Sequence, residues 1–505
     1  MGMATGWPTT DWLHWRARHA PEREALRFQG RSWTFAQLDE AVTQLALRRA
    51  ALGLEPGDRL AVLLGSGPLM VQVVHGVGRL GVELVPLNTR LAVPELAWQV
   101  ADGGAKLLLY DETTAAAAEA VAREVPGLRA VAAEELEAVR PREIPLHLER
   151  EPGQVHTIIY TSGTTGRPKG ARLTYGNYGW NALASALNLG LVPSDRWLAV
   201  LPLFHVGGLS ILFRAVIYGI PVLLHPRFDV AAVHHAIDHE GATLVSVVSV
   251  MLARMLEART EPYPPTFRVA LLGGGPVPQV LVERAQGLGL PVAPSYGLTE
   301  AASQVATLPP HEAAARPGSS GRPLFGVELR IVQDGRDQPP GEPGEILVRG
   351  PNVMAGYHGQ PEATARALAG GWLHTGDVGY LDEQGYLYVL DRRDDLIISG
   401  GENIYPAEVE GVLLEHPAVA EAGVVGVPDP VWGQAVVAAV RLRPGAAFDE
   451  AALRQFCRER LAGYKVPARI VAVEALPRTP SGKLMRRRLA ELLRPPGPDR
   501  APSGW

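Results

Sequence analysis

Residues 156–170 read HTIIYTSGTTGRPKG, in which a β-like run from His156 to Tyr160 enters a loop of glycines and hydroxyls. Gly163 and Gly166 let backbone N–H groups converge on an anion, and Thr161, Ser162, Thr164 and Thr165 add short donors while Lys169 adds charge. That is the chemistry of a phosphate cradle. It is not the Walker pattern, because Lys169 follows a proline and precedes a glycine instead of standing in Gly-Lys-Ser/Thr. A plain Gly/Ser linker would share the composition but not the strand that leads in or the lysine. Lysine is scarce here: of 48 basic side chains only four are lysines, at 106, 169, 465 and 483. Lys483 lies in PRTPSGKLMRRRL, just ahead of Arg486, Arg487 and Arg488, so its retention as a lysine is a clue to chemistry.

The scaffold that must hold these groups is legible in the hydrophobic pattern. From about 57 to 300 short apolar runs alternate with helical periodicity, as in DRLAVLLGSG, PLMVQVVHGVGRLG and ELVPLN, which read as strand, helix and strand. RWLAVLPL, IPVLLHP, TLVSVVS, FRVALLGGG and LPVAPSYG continue the series, and such alternation implies parallel sheets covered on both faces. From 321 to 391 the texture changes to short strands between Gly, Pro and Asp turns, a small antiparallel barrel or sheet. The remainder is mixed α and β, with helices expected over 406–415 and 449–462 and a disordered tail from about 495. The expected fold class is therefore α/β: a large N-terminal domain, 1–393, of parallel-sheet subdomains plus a β-barrel-like subdomain, then a small α+β domain, 394–505.

The loop resembles the signature of the acyl-adenylate-forming superfamily, which contains acyl-CoA synthetases, luciferases and peptide-synthetase adenylation domains. SYGLTE at 295–300, HTGD at 374–377, DRRDDLIISGGENIYPAEVE at 391–410 and PRTPSGKLMRRRL match further motifs in the family's order. The resemblance implies an enzyme that uses ATP, Mg2+ and coenzyme A. It places ATP or AMP against Thr161, Ser162, Gly163, Thr164, Gly166 and Lys169, with Thr165 close to the chemistry. Tyr296 offers a flat face to adenine, Gly297 and Thr299 lie beside it, and Gly273, Gly274 and Gly275 leave room for the base on the other wall. Glu300 is suited to Mg2+, a hard cation that prefers oxygen. Asp377 matches the ribose position, Arg392 the nucleotide-contacting arginine, Asp394 the hinge of a mobile C-terminal domain, and Gly400 and Gly401 the turn shown to coenzyme A. Lys483 then has a reason to be lysine: a compact ammonium on a flexible stem can reach both carboxylate and α-phosphate, which a planar guanidinium cannot. Asp391 and Asp394 depart from the glycine and lysine usual at those places, which leaves the energetics of the hinge open.

The acid is addressed by LPLFHVGGLSILFRAVIYG, residues 201–219, where His205 matches a residue that lines the family's acyl pocket and takes part in its chemistry. Arg214 interrupts an otherwise apolar helix. A buried arginine needs an anion, supplied either by a protein acid or by a substrate with a second carboxylate. With Ser303 and Gln304 expected on the same pocket, this stretch resembles the o-succinylbenzoate-CoA ligase branch of the superfamily, which serves menaquinone biosynthesis and whose substrate is a dicarboxylic aromatic keto-acid. The alternatives are a ligase for aryl or medium-chain fatty acids, a peptide-synthetase adenylation module, and a regulatory module that binds nucleotide without turning it over.

A net charge of -5 with 20% charged residues gives no basic surplus for nucleic acid. The start lacks a secretory signal, and Arg214 and Pro221 interrupt the longest apolar stretch, so neither export nor a membrane span is expected. One cysteine, Cys457, fits packing in a cytoplasmic protein, and a homodimer is compatible with the chain. His235 and His239 stand one helical turn apart without a third ligand, a solvated face rather than a zinc site.

Overall fold

The structure, a computed structural model, describes residues 10–161, 168–274, 279–392, 396–477 and 484–494, without the side chains of residues 279, 280, 391, 392 and 407. The chain forms two compact units: residues up to Thr89, Leu96–Thr161 and Lys169–Asp391 make the first, and Arg90–Glu95 with the chain from Arg392 onward belong to the second.

Three sheets build the first unit. Six strands run in the order Arg129–Ala132, Leu107–Tyr110, Arg59–Leu63, Glu83–Pro86, β1 (Val155–Thr161) and β2 (Lys169–Thr174). All neighbours are parallel except β1 and β2, an antiparallel pair that pins Thr161 opposite Lys169. Helix α1 (Tyr175–Leu189) follows at once, started by a capping box in which Thr174 and Asn177 satisfy each other's backbone N–H groups. Helix α2 (Val206–Tyr218) ends at Gly219 in the left-handed conformation. A nine-stranded sheet is parallel through its middle and closes at one end with β3 (Val292–Leu298), β4 (Ser303–Thr307) and Arg322–Pro323, all antiparallel. The third sheet has five strands, of which the first four, from Arg336–Asp337 to Leu373–Leu381, pair antiparallel. Apolar strand runs become buried on both faces, as Ala199, Val222 and Leu244 on one side of the nine-stranded sheet and Leu198, Leu223 and Val245 on the other show.

In the second unit β5 (Ile397–Ser399) and β6 (Glu402–Ile404) form a hairpin, and β7 (Val419–Asp429) pairs with β8 (Gly433–Leu442). Helices α3 (Pro406–Glu415) and α4 (Glu450–Arg458) pack Val409, Leu413, Leu453 and Cys457 on that sheet. Cys457 is packing material, and burial pushes its thiol up to about 11. Among the described residues no helix is long and apolar enough to cross a membrane.

His156, on β1, is 1% exposed, with Nε2 at 2.8 Å from the Val74 carbonyl oxygen and Nδ1 without a partner among the described residues. Burial pushes the imidazole down to about 3. An unfolded histidine titrates near 6.5, so protons bind the unfolded chain first. The stabilisation is complete above that value and falls as pH drops from there towards 3. Between pH 7 and pH 5 the loss is roughly 2 kcal/mol. Urea unfolding at the two pH values should show a drop larger by that amount in the native chain than in His156→Gln; equal drops would contradict this.

Candidate active site

The carboxylate of Glu300 collects groups from three elements. It sits in a short turn, Thr299–Ala301, directly after β3. Its Oε1 accepts from Thr161 Oγ1 at 3.3 Å and from Tyr357 Oη at 3.0 Å. The segment carrying Tyr357 is zipped to β2 by a bridge between Ala171 and Tyr357 and by His358 N donating to Gly170 O at 2.7 Å. Met354 N donates to the Glu300 carbonyl at 2.8 Å and holds the turn from the other side. Lys169 Nζ stands 5.3 Å from the centroid of the Tyr357 ring. The structure thus unites Thr161 and Lys169 of one motif with Glu300 of another. Tyr357 escapes the sequence reading, since in AGYHGQPEAT it looks like an ordinary turn aromatic.

Tyr296 and Asp377 are also brought together: Tyr296 Oη donates to Asp377 Oδ2 at 2.7 Å, and both are buried. Asp377 N in turn donates to Thr375 Oγ1 at 3.0 Å, which orients the residue on the fourth strand of the five-stranded sheet. Gly297 is dictated by contact. A Cβ there would stand 1.7 Å from the Ser303 carbonyl oxygen, so a side chain would push β4 away. Gly273 is different, since its Cβ would meet Ser295 O at an ordinary 3.5 Å, and Gly274 takes φ +80.

Close approach at Gly297 lets the chain double back sharply. Ala302 and Ser303 adopt φ +52 and +107, a region non-glycine residues avoid, in the tight reversal from β3 to β4. The strain delivers the Ser303 hydroxyl to Arg214, whose Nη2 donates to Ser303 Oγ at 3.3 Å and to Asn181 Oδ1 at 2.6 Å. Arg214 is 1% exposed and lies over the Trp197 ring at 5.5 Å. Its Nε has no acceptor among the described residues, and none of these partners is an acid. Burial pushes the guanidinium down to about 10, which leaves it charged at neutral pH.

Gln304 does not join Ser303 at Arg214: neighbouring residues of a strand point to opposite faces, and its Nε2 donates to Thr307 Oγ1 at 3.1 Å. What Gln304 contributes is its carbonyl oxygen, which accepts from Asn181 and Asn352. His205 is the N-cap of α2 with its ring against Phe204, about 13 Å along the helix from Arg214 by helical rise.

In the second unit Gly400 and Gly401 form the β5–β6 turn, both with positive φ as a two-residue type I′ hairpin requires. A Cβ on Gly400 would stand 2.8 Å from the Trp432 ring. Two of the four lysines find structural partners, Lys106 in an ion pair with Asp58 and Lys465 in a buried one with Glu408, both at 2.8 Å. Ser162, Gly163, Thr164, Thr165, Gly166, Gly275, Asp394 and Lys483 lie outside the described residues, as does the side chain of Arg392.

The AMP-binding enzyme family matches residues 13–358, and the AMP-binding enzyme C-terminal domain matches residues 408–483. A relative from Geobacillus kaustophilus named 2-succinylbenzoate--CoA ligase is 51% identical over 484 residues, 96% of this chain and 98% of its own. A double mutant of o-succinylbenzoate CoA synthetase from Bacillus subtilis, bound with the product analogue OSB-NCoA, superposes with a TM-score of 0.92 at 45% identity. That match covers 95% of this chain and 98% of the other. The Bacillus subtilis synthetase in complex with ATP and magnesium ion gives 0.75 at 46% identity, over 95% and 99% of the two chains.

The two glycines beside the nucleotide motifs should respond differently to a methyl group. Gly297→Ala should cost about 1–3 kcal/mol by overpacking, whereas Gly273→Ala should cost under about 1 kcal/mol. Denaturant midpoints at constant slope measure both, and equal costs would contradict the geometry.

Proposed function

The chain belongs to the AMP-binding enzyme family, and from that premise we propose that it is an ATP-dependent 2-succinylbenzoate-CoA ligase acting in the cytoplasm. The observation that carries the substrate is Arg214, a buried guanidinium held by neutral partners. A fatty acid would lay an apolar tail against that charge, whereas the ring carboxylate of o-succinylbenzoate supplies the missing anion.

In the first half-reaction the succinyl-side carboxylate oxygen bonds to the α-phosphorus of ATP, and the bond to the departing pyrophosphate breaks. Thr161, Ser162, Gly163, Thr164, Thr165, Gly166 and Lys169 are assigned to the phosphates, Tyr296, Gly273, Gly274, Gly275 and Thr299 to the adenosine side, and Asp377 to ribose. Lys483 brings its ammonium to the attacked phosphate, where charge accumulates. Arg392 and His205 are assigned to the nucleotide and to the acyl pocket. The residues present fit a magnesium ion at Glu300, because Oε1 takes both hydroxyls while Oε2 takes no hydrogen bond from the described residues. Magnesium held there would offset phosphate charge. In the second half-reaction the thiolate sulfur of coenzyme A bonds to the acyl carbon and AMP leaves with the electron pair of the C–O bond. We assign the Gly400–Gly401 turn to that step, Asp394 to the hinge, and the division of labour to domains 1–393 and 394–505.

Pyrophosphate release across a panel of acids tests the reading: o-succinylbenzoate should be strongly preferred over octanoate and decanoate. Preference for the fatty acids would overturn it, and absence of turnover with every acid would favour a module that only binds nucleotide. A second prediction concerns Tyr357. Tyr357→Phe keeps the ring over Lys169 but removes the donor to Glu300, so Mn2+ binding in the presence of ATP, followed by electron paramagnetic resonance, should weaken about 5- to 10-fold. Unchanged Mn2+ affinity would remove Tyr357 from the metal-positioning role.

A further inference from the structure

Asn181, in the middle of α1, is 1% exposed and has its amide fixed at both ends. Nδ2 donates to the Gln304 carbonyl oxygen at 2.9 Å, and Oδ1 accepts from Arg214 Nη2 at 2.6 Å. The orientation is forced, because a carbonyl can only accept and a guanidinium can only donate. The Gln304 carbonyl is itself held by a second amide, with Asn352 Nδ2 at 3.2 Å. Asn352 Nδ2 is also 3.1 Å from the Ala301 carbonyl oxygen. Asn181 is therefore a rigid acceptor whose aim is set by the Gln304 backbone, just past the strained Ala302–Ser303 reversal.

An aspartate would neutralise the buried arginine on the spot, at the loss of the hydrogen bond to the Gln304 carbonyl. Asn181 supplies a dipole instead of a charge, so it orients the guanidinium and leaves its positive charge uncompensated. We propose that Asn181 is a specificity-determining positioning residue: it holds Arg214 for a second carboxylate of the substrate without competing for it. The inference rests on the assignment of a dicarboxylic acid to this pocket. It adds that discrimination arises from the neutrality of the residue that holds the arginine as well as from the arginine. An acid lacking the second carboxylate leaves the guanidinium buried and unmatched, which penalises it.

The test compares o-succinylbenzoate with 4-oxo-4-phenylbutanoate, the same keto-acid without the ring carboxylate. In Asn181→Asp, kcat/KM for o-succinylbenzoate should fall roughly 100-fold, mainly through KM, because an internal carboxylate now occupies Arg214. The value for 4-oxo-4-phenylbutanoate should fall by no more than about 3-fold or rise, because that acid brings no anion for Arg214 and the internal carboxylate relieves the mismatch. Asn181→Ala, which removes the acceptor and adds no charge, should lower the preference by about 5- to 10-fold. It decides the matter if the aspartate variant does not fold. Equal losses for both acids, or an undiminished preference in the variants that fold, overturn the inference. Failure of the native chain to activate o-succinylbenzoate would instead overturn the functional reading on which it rests.

Discussion

A guanidinium removed from water, with no carboxylate beside it among the described residues, is the constraint around which Arg214, Asn181 and the return from β3 to β4 are arranged. Desolvating such an ion costs several kcal/mol, and neutral amides and hydroxyls recover only part of it. The chain accepts that cost together with backbone strain at Ala302 and Ser303 and a glycine at 297 that no larger residue can replace without displacing β4. These features serve one geometry, the sharp return from β3 to β4 that brings the Ser303 hydroxyl to Arg214 and the Gln304 carbonyl to Asn181.

Glu300 and Asp377 follow a related logic with the sign reversed. The two carboxylates are each held by a tyrosine hydroxyl through one oxygen, Tyr357 for the first and Tyr296 for the second. A phenol fixes a carboxylate without cancelling its charge, as Asn181 does for Arg214. At these three positions neutral groups orient charged ones. Elsewhere in the first unit the buried Arg79 and Arg150 share Asp11 and Arg79 also pairs with Asp39, so those charges are matched within the protein.

Much of this was readable before any coordinates. Apolar runs placed the strands that end at Thr161 and Leu298, and the helix expected over 406–415 is Pro406–Glu415, because its proline start and apolar spacing are local signals. Roles that depend on through-space aim were not readable. Tyr357 reaches Glu300 only because its segment zips onto β2, and Asn181 reaches Arg214 only because α1 and α2 lie side by side. Gln304 was expected beside Ser303, although strand alternation sends its side chain to Thr307. The scarcity of lysine flagged four positions, yet Lys106 and Lys465 are held in ion pairs with Asp58 and Glu408, so rarity narrows a search without deciding it.

The central claim, that Arg214 is kept charged and unmatched for a carboxylate of the substrate, is tested most directly by a crystal structure of the chain with a non-hydrolysable o-succinylbenzoyl-adenylate analogue. The ring carboxylate should lie about 2.7–2.9 Å from the Arg214 guanidinium, with Asn181 and Ser303 still in place. A ring carboxylate turned to solvent or to another residue, with Arg214 bonded only to Asn181 and Ser303, would contradict the account.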